Sequence, residues 1–215
     1  MTDTTTSGTL ITLEGIDGSG KTTAWETLKE ELPNKIDDTE IIFTREPTQD
    51  TFYGDAVYQS LHQDDADALA ELFLYIADHA AHLNNTILPA LNDGKVVISD
   101  RYIDSRCAYQ AATLSNYTGL SVDNILTWIQ NLHQPWSRIP DLTIYLSVPP
   151  ETAVERSAKA NKFERLNHLE TVAANYEITM EQQRNRFASI DATQTKSTVQ
   201  STIIETTTEF LTRQH

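Results

Sequence analysis

A glycine-rich segment near the N-terminus carries the strongest chemical signal in the sequence. Residues 15–22 read Gly-Ile-Asp-Gly-Ser-Gly-Lys-Thr and match the phosphate-binding pattern G-x-x-x-x-G-K-[ST]. Glycines let backbone N–H groups turn around phosphate oxygens, and the N-terminus of the following helix adds partial positive charge. Lys21 is expected to reach the β- and γ-phosphates, and the Thr22 hydroxyl to bind Mg²⁺. The expected contacts of a nucleoside triphosphate are Gly15, Ile16, Asp17, Gly18, Ser19, Gly20, Lys21, Thr22 and Thr23.

Four further charged side chains lie where they could bind phosphate or a cation. Arg45 follows the second predicted strand, and Asp100 and Arg101 follow the third. Two guanidinium groups at the carboxyl edge of a parallel sheet suit a dianionic acceptor phosphate. Asp100 is placed to support Mg²⁺, directly or through water, or only to orient Arg101. Asp17 would repel a triphosphate unless it serves a cation or a sugar hydroxyl.

Alternating strands and helices must position these residues. Five short runs, most of them apolar on both faces, are typical of buried parallel strands: residues 9–14, 40–44, 95–99, 142–148 and 187–191. Helical stretches are predicted at residues 21–32, 65–91, 122–132, 151–160, 168–186 and 197–212. The alternation predicts an α/β fold with a five-stranded parallel sheet covered on both faces, the three-layer α/β/α arrangement of a P-loop NTPase.

Four more segments narrow the class of enzyme. Residues 44–48 read TREPT, residues 99–102 read SDRY with Ser105 and AYQ shortly after, residues 140–146 read PDLTIYL, and residues 190–192 read IDA. Together with the glycine-rich segment they resemble the motifs of the thymidylate kinase family over about residues 10–192. The resemblance implies a homodimeric enzyme that uses ATP and Mg²⁺ to convert dTMP to dTDP for dTTP biosynthesis.

The same resemblance implies roles for individual residues around dTMP. Tyr75 would stack on thymine, and His79, one helical turn later, stands where the family usually has an arginine that reads O4. A neutral histidine can still donate a hydrogen bond to a carbonyl oxygen. The full set of implied substrate contacts is Asp17, Arg45, Tyr75, His79, Arg101, Ser105, Tyr109 and Gln110. Asp191 and Ala192 would shape the adenine pocket through their backbone.

A basic cluster interrupts an otherwise acidic chain at residues 155–165, which read ERSAKANKFER. The plain interpretation is a solvated helix face. We favour a helical lid over about residues 156–166, because positive charge that closes over the phosphates stabilises phosphoryl transfer. Arg156 and Arg165 are its candidate catalytic residues. The expected catalytic set is therefore Asp17, Lys21, Arg101, Arg156 and Arg165.

Composition and charge limit the possible partners, location and domain organisation of the protein. The 215 residues include 31 acidic and 16 basic side chains, a net charge of -15, which disfavours binding to nucleic acid or to an anionic membrane. The chain has no long apolar run, no signal-peptide pattern and one cysteine, Cys107, expected as a buried small apolar residue in a cytoplasmic protein. We expect a single kinase domain over residues 9–213 after a disordered tail at 1–8. The acidity indicates either plain solubility or the salt-rich cytoplasm of a halophilic archaeon.

Two other functions remain open from the residues alone. A deoxynucleoside kinase also combines a phosphate-binding loop with a basic lid, and Glu46 could be the carboxylate base that a neutral hydroxyl acceptor needs. A non-catalytic nucleotide-binding regulator would keep the loop without an acceptor site. Arg45, directly before Glu46, favours the charged acceptor. Lys21, Thr22 and the lid cluster argue against the regulator.

Overall fold

The computed structural model describes residues 8–36, 39–63, 65–156 and 162–214. In this part of the chain, five parallel strands form one sheet in the order β2-β3-β1-β4-β5. They are β1 (Thr9–Glu14), β2 (Ile41–Arg45), β3 (Val96–Asp100), β4 (Leu142–Ser147) and β5 (Phe187–Asp191). The predicted five-stranded parallel sheet is confirmed, with strand ends that differ from the expected ones by at most one residue.

Helices cover both faces of the sheet. They are α1 (Lys21–Glu31), α2 (Phe52–Leu61), α3 (Ala68–His82), α4 (Leu88–Asn92), α5 (Ile103–Thr118), α6 (Val122–His133), α7 (Pro150–Arg156), α8 (Lys162–Gln182) and α9 (Lys196–Gln214). Side chains of β1 alternate between two apolar clusters, with Ile11 in the cluster under α1, α8 and α9 and Leu10 in the cluster under α3, α4 and α6. The predicted three-layer α/β/α architecture is therefore confirmed.

The register of the sheet brings its polar residues to one edge. Leu13 of β1 lies opposite Asp100 of β3 and Ile144 of β4, and Arg45 of β2 also pairs with Asp100. The strands therefore end together, and the segments that follow β1, β2 and β3 emerge side by side. This edge carries the glycine-rich segment and the charged residues expected to bind phosphate.

Two helices, α2 and α5, were not predicted, and the helix predicted at 65–91 is divided into two. It consists of α3, a π-helical turn (Leu83–Ile87) and α4.

The start of α5 lacks a local cap, because the side chain of Tyr102, the residue before this helix, does not cap it. Instead Glu14 accepts hydrogen bonds from the backbone N–H of Tyr102 at 2.8 Å and of Ser105 at 3.2 Å. A cap supplied from 88 residues away leaves no local sequence signal.

The expected lid over about residues 156–166 lies partly outside the described residues. The helix predicted at 151–160 is α7 up to Arg156, and residues 157–161 are not among those described. The helix predicted at 168–186 begins earlier as α8 and ends at Gln182, after which a 3₁₀ turn (Arg184–Arg186) leads into β5. Residues 1–7, most of the expected tail, are also outside the described ranges. Where the structure describes the chain, no helix combines the length and apolarity needed to cross a membrane.

Cys107 lies in the apolar cluster under α3, α4 and α6, where it is 1% exposed. Burial, with a smaller effect of Asp104, raises the pKa of its thiol to about 12. The expectation of a buried small apolar residue is confirmed.

Candidate active site

Residues 15–22, called here the phosphate loop, turn sharply from β1 into α1. Gly15, Gly18 and Gly20 have φ angles of 146°, 87° and 99°, which residues other than glycine rarely adopt. A Cβ atom added to Gly18 would lie 2.3 Å from the carbonyl oxygen of Ala153 in α7. The loop therefore needs glycine at this position both for its backbone angle and for its close contact with α7.

Lys21 points back across the phosphate loop. Its Nζ donates hydrogen bonds to the carbonyl oxygens of Gly15 and Ile16, both at 2.9 Å, and the residue is 7% exposed. Burial, followed by the nearby positive charge of Arg101, lowers the pKa of Lys21 to about 7. A phosphate beside Nζ would raise this pKa again, because an opposite charge favours the protonated amine.

Asp17 and Arg101 form the link between the phosphate loop and a neighbouring cavity. Arg101 donates from Nη2 to Asp17 Oδ1 at 2.5 Å and from Nη1 to Ser105 Oγ at 3.0 Å, and Tyr109 donates from its hydroxyl to Asp17 Oδ1 at 3.1 Å. Burial alone would raise the pKa of Asp17, but the charges of Arg101 and Lys21 outweigh it and lower that pKa. Asp17 is therefore ionised and Arg101 is held at the mouth of the cavity.

The cavity, called here the acceptor cavity, has a volume of about 410 Å³ and lies between α3 and α5. This volume is in the range of small-molecule binding sites. Of the expected substrate contacts, five besides Asp17 line it: Tyr75, Arg101, Ser105, Tyr109 and Gln110. The structure thus brings most of the expected acceptor residues together around one space.

Glu14 holds several residues of this site in place through hydrogen bonds. Its carboxylate accepts hydrogen bonds from the Ser105 hydroxyl at 2.6 Å and the Tyr176 hydroxyl at 2.8 Å, in addition to the N–H groups at the start of α5. Burial, followed by the negative charge of Asp104, raises the pKa of Glu14 to about 7. Glu14 therefore fixes where α5 begins and which way Ser105 points.

Two expected substrate residues lie outside the acceptor cavity. His79 is completely buried behind Glu46, where Nδ1 donates to Glu46 Oε1 at 2.8 Å and Nε2 meets Ser137 Oγ at 2.8 Å. In this position His79 does not contact the acceptor cavity, so it cannot bind a nucleotide base there. Arg45 lies over the ring of Trp25, 5.0 Å from its centroid, and its Nη2 is 4.0 Å from Asp100 Oδ2.

Thr22 and Asp100 fit a hard cation such as Mg²⁺ by their chemistry. The Thr22 side chain lies at the exposed start of α1, and Asp100 Oδ1 is buried without a hydrogen-bond partner in the described part of the chain. Oxygen ligands of this kind are those that Mg²⁺ prefers, together with water and phosphate oxygens. Among the described residues, no group of three or more histidine, cysteine or acidic side chains could hold a metal by itself.

A second cavity of about 160 Å³ opens on the other side of the phosphate loop. Its lining includes Ser19, Gly20, Thr23, Arg156 and Ala192. Asp191 lies beside it at the exposed end of β5 and accepts hydrogen bonds from Thr193 and Gln194. Of the expected nucleotide contacts, Ser19, Gly20, Thr23 and Ala192 therefore meet around one space.

The two arginines expected in the lid lie at different ends of the site. Arg156 lines the second cavity, whereas the charge of Arg165 acts on Asp17 and lowers its pKa. Arg165 Nη1 is buried and has no hydrogen-bond partner among the described residues. Of the two, Arg165 is therefore the one beside the link between the loop and the acceptor cavity.

Sequence reasoning missed several residues of the site. Glu14, Arg106 and Tyr176 were given no role in the site, and Glu46 was considered only as a base. The available signal for Glu14 and Glu46 was a charged residue in or directly after an apolar strand, where a buried charge needs a partner.

The fold and the loop define a P-loop phosphotransferase of the α/β/α class, with a separate acceptor cavity beside the phosphate loop. Residues 13–203 match the family described as thymidylate kinase. The chain belongs to the thymidylate kinase family.

Individual relatives agree with this assignment. A protein of Natronomonas pharaonis is 50% identical over 95% of this chain and 100% of its own length. A protein of Halorubrum lacusprofundi is also 50% identical, over 94% of this chain and 98% of its own, and one of Methanosarcina mazei is 44% identical over 96% and 98%. All three are named "Probable thymidylate kinase". The expected family is confirmed, and the similarity to proteins of halophilic archaea fits the acidic composition.

Proposed function

We propose that the chain transfers the γ-phosphoryl group of ATP to the phosphate of dTMP, with Mg²⁺, and releases dTDP and ADP. The observation that carries this proposal is the Asp17–Arg101 pair, which lies where the phosphate loop meets the acceptor cavity. A phosphate bound by Arg101 at the mouth of the cavity would lie beside the loop that holds the donor. Membership of the thymidylate kinase family supports the same reaction.

On the donor side, the chain supplies positive charge and orientation. The N–H groups of the phosphate loop and the Lys21 ammonium would hold the β- and γ-phosphates, and the second cavity would take the adenosine with Ala192 at its wall. Thr22 and Asp100 would hold Mg²⁺, which neutralises phosphate charge when bound. Arg165 would add its charge near the transferred group, and Arg156 would act nearer the donor nucleoside.

On the acceptor side, no base is needed, because a monophosphate is already ionised near pH 7. Positioning and charge neutralisation therefore carry the rate. Arg101, oriented by its hydrogen bond to Ser105, would bind the dTMP phosphate. Asp17 would bind the 3′-hydroxyl, while Tyr75 and Tyr109 would pack against base and sugar. Arg45 would approach the acceptor phosphate from the end of β2.

The rival deoxynucleoside kinase needs a free carboxylate base, and Glu46 does not suit that role. It accepts hydrogen bonds from His79 and His82 and is paired with Arg106. Burial would raise the pKa of Glu46, but Arg106 and His79 hold it well below its usual range. A carboxylate engaged in this way is a poor proton acceptor.

The proposal extends to a homodimer in a salt-rich cytoplasm that binds neither nucleic acid nor membrane. The first two helices after β2 expose apolar side chains, with Phe52 81% and Phe73 50% exposed, as at an interface between subunits. The net charge of -15 argues against anionic partners of large size. Size-exclusion chromatography with light scattering would distinguish a dimer of about twice 24.2 kDa from a monomer.

A coupled ADP-release assay tests the reaction. We expect turnover with dTMP, none with thymidine, and loss of turnover when Mg²⁺ is chelated, measured in dilute and in molar KCl. Faster turnover with thymidine than with dTMP would instead identify a deoxynucleoside kinase. Binding of ATP without acceptor-dependent ADP release would support the nucleotide-binding regulator.

A further inference from the structure

Arg106 is a buried arginine of α5 whose hydrogen bonds are only partly used. Its Nε donates to His133 Nε2 at 3.2 Å, and its Nη1 is paired with Glu46 Oε2. Its Nη2 is buried and has no hydrogen-bond partner in the part of the chain that the structure describes. Burying an N–H of a charged group without a hydrogen-bond partner costs free energy. A ligand that accepts a hydrogen bond from Nη2 would therefore gain binding free energy.

The neighbours of Arg106 fix its guanidinium in place. His133 Nδ1 donates to the carbonyl oxygen of Ile129 at 2.8 Å, which leaves Nε2 as the acceptor that faces Arg106. Burial and Arg106 itself lower the pKa of His133 to about 3, so this histidine stays neutral. His79 and His82 each donate from Nδ1 to Glu46 Oε1, which holds the carboxylate that pairs with Arg106.

The acceptor cavity is the place where Arg106 Nη2 can find a partner. Arg106 and Gln110 both line this cavity and lie one helical turn apart on α5, so they share a face of the helix. Asp17 and Arg101 mark the phosphoryl end of the same cavity. A nucleotide whose phosphate is bound at Arg101 therefore has its base as the part left to meet Arg106 and Gln110.

Gln110 supplies the opposite hydrogen-bonding character. Its Nε2 donates to Glu71 Oε1 at 3.1 Å, which orients the amide, and its Oε1 is buried without a donor among the described residues. The cavity wall thus offers one unused donor, from Arg106, and one unused acceptor, from Gln110. Thymine and uracil present the matching pair, a C4 carbonyl next to an N3–H, whereas cytosine presents an amino group next to an unprotonated N3.

We propose that Arg106 is the specificity-determining residue for the base, donating from Nη2 to the C4 carbonyl while Gln110 Oε1 accepts from N3–H. His79 then acts as a positioning residue through Glu46, and does not touch the base. This inference rests on the proposed function and identifies the residue that discriminates against cytosine. Because neither group contacts C5, the pair accepts thymine and uracil alike.

The test compares kcat/KM for dTMP, dUMP and dCMP in the ADP-release assay. Arg106→Lys keeps a positive charge for Glu46 but loses the forked guanidinium, and we expect its kcat/KM for dTMP to fall at least tenfold. Its kcat/KM for dCMP should change little, so the preference for dTMP over dCMP falls by a similar factor. Arg186→Lys is the matched control, since Arg186 pairs with buried Asp104 and does not line the acceptor cavity.

Unchanged dTMP-over-dCMP preference in folded Arg106→Lys would overturn the inference while leaving the proposed reaction intact. If Arg106→Lys does not fold, the wild-type enzyme still decides the matter with the 5′-monophosphate of 2-pyrimidinone deoxyriboside, which lacks both the C4 carbonyl and the N3–H. At least tenfold lower kcat/KM than for dUMP is expected, and equal values would refute the proposed base contacts of Arg106 and Gln110 together. Absence of ADP release with every nucleotide in wild type would overturn the proposed function and this inference together.

Discussion

Lys21 shows how a single buried charge connects folding and ligand binding. Its ammonium is surrounded by backbone carbonyls and lies close to Arg101, so its pKa falls to about 7 from an ordinary value of 10.5. Between these two pH values the unfolded chain binds more protons at this residue than the folded chain does. The contribution of Lys21 to the free energy of unfolding therefore rises with pH across that window.

We predict that ATP binding at pH 8 takes up close to one proton, because the triphosphate restores the ordinary pKa of Lys21. Calorimetric titrations in two buffers of different ionisation enthalpy measure this uptake. Lys21→Met should abolish it and lower turnover about 100-fold or more without unfolding the protein. Lys29→Ala, on the exposed side of the same helix, is the control and should change neither quantity.

Proton uptake that persists in Lys21→Met would assign the titrating group elsewhere, and near-normal turnover of that variant would contradict the role of Lys21 in phosphoryl transfer.

The residues of the phosphate loop were predictable because their chemistry is local in sequence. Lys21 and its glycines form one motif, and Arg101 follows a strand whose apolar run is easy to recognise. Arg106 was not predictable in the same way. Its importance depends on Glu46, 60 residues earlier, and on His133, 27 residues later, both of which only the folded chain brings to it.

At the scale of elements, α5 carries much of the acceptor site and yet lacks a side-chain cap of its own. Its start is fixed by Glu14, so the same carboxylate that ends β1 also sets the orientation of Ser105. The sheet was predictable from its apolar runs, since buried parallel strands depend mainly on their own composition. The unpredicted helix α5 depends on its long-range contact with Glu14, which local sequence patterns do not contain.

A second element-scale feature is the close packing of the phosphate loop on α7. We predict that Gly18→Ala lowers the free energy of unfolding by about 2 kcal/mol or more, because φ is 87° and a Cβ would overlap the Ala153 carbonyl. Gly119→Ala is the matched control, with φ of 66° and no described atom within 4 Å of the added Cβ. Gly119→Ala should lower the free energy of unfolding only by the cost of placing alanine in a left-handed backbone conformation, about 1 kcal/mol.

Urea unfolding monitored by tryptophan fluorescence measures both variants. Equal losses for Gly18→Ala and Gly119→Ala would mean that the loop and α7 do not pack as closely as the structure places them.

At the scale of the whole molecule, the distribution of charge separates surface from site. The chain has 31 acidic against 16 basic residues, yet Lys21, Arg101, Arg106 and Arg165 all lie at or near the acceptor cavity or the phosphate loop. A net charge of -15 repels itself across the surface, whereas Arg101 and Arg106 bring two positive charges to the lining of the cavity. The overall acidity and the binding of an anionic nucleotide are therefore compatible.

We predict that molar KCl stabilises this protein by screening that repulsion. The Debye length falls from about 10 Å at 0.1 M salt to about 3 Å at 1 M. We expect Tm to rise by about 5 °C between 0.1 and 2 M KCl, corresponding to about 1–2 kcal/mol for a chain of this length. Thermal unfolding followed by circular dichroism at each KCl concentration checks this. A Tm that is independent of KCl would refute self-repulsion as a limit on stability.

The buried position of Cys107 has a practical consequence for spectroscopy. As the single cysteine of the chain, 1% exposed and with a thiol pKa of about 12, it will not react with maleimides while the protein is folded. A cysteine introduced at exposed Glu170 of α8 would then be the only thiol to take up a dye. The natural chain is thus a ready background for single-site fluorescence measurements of motion during turnover.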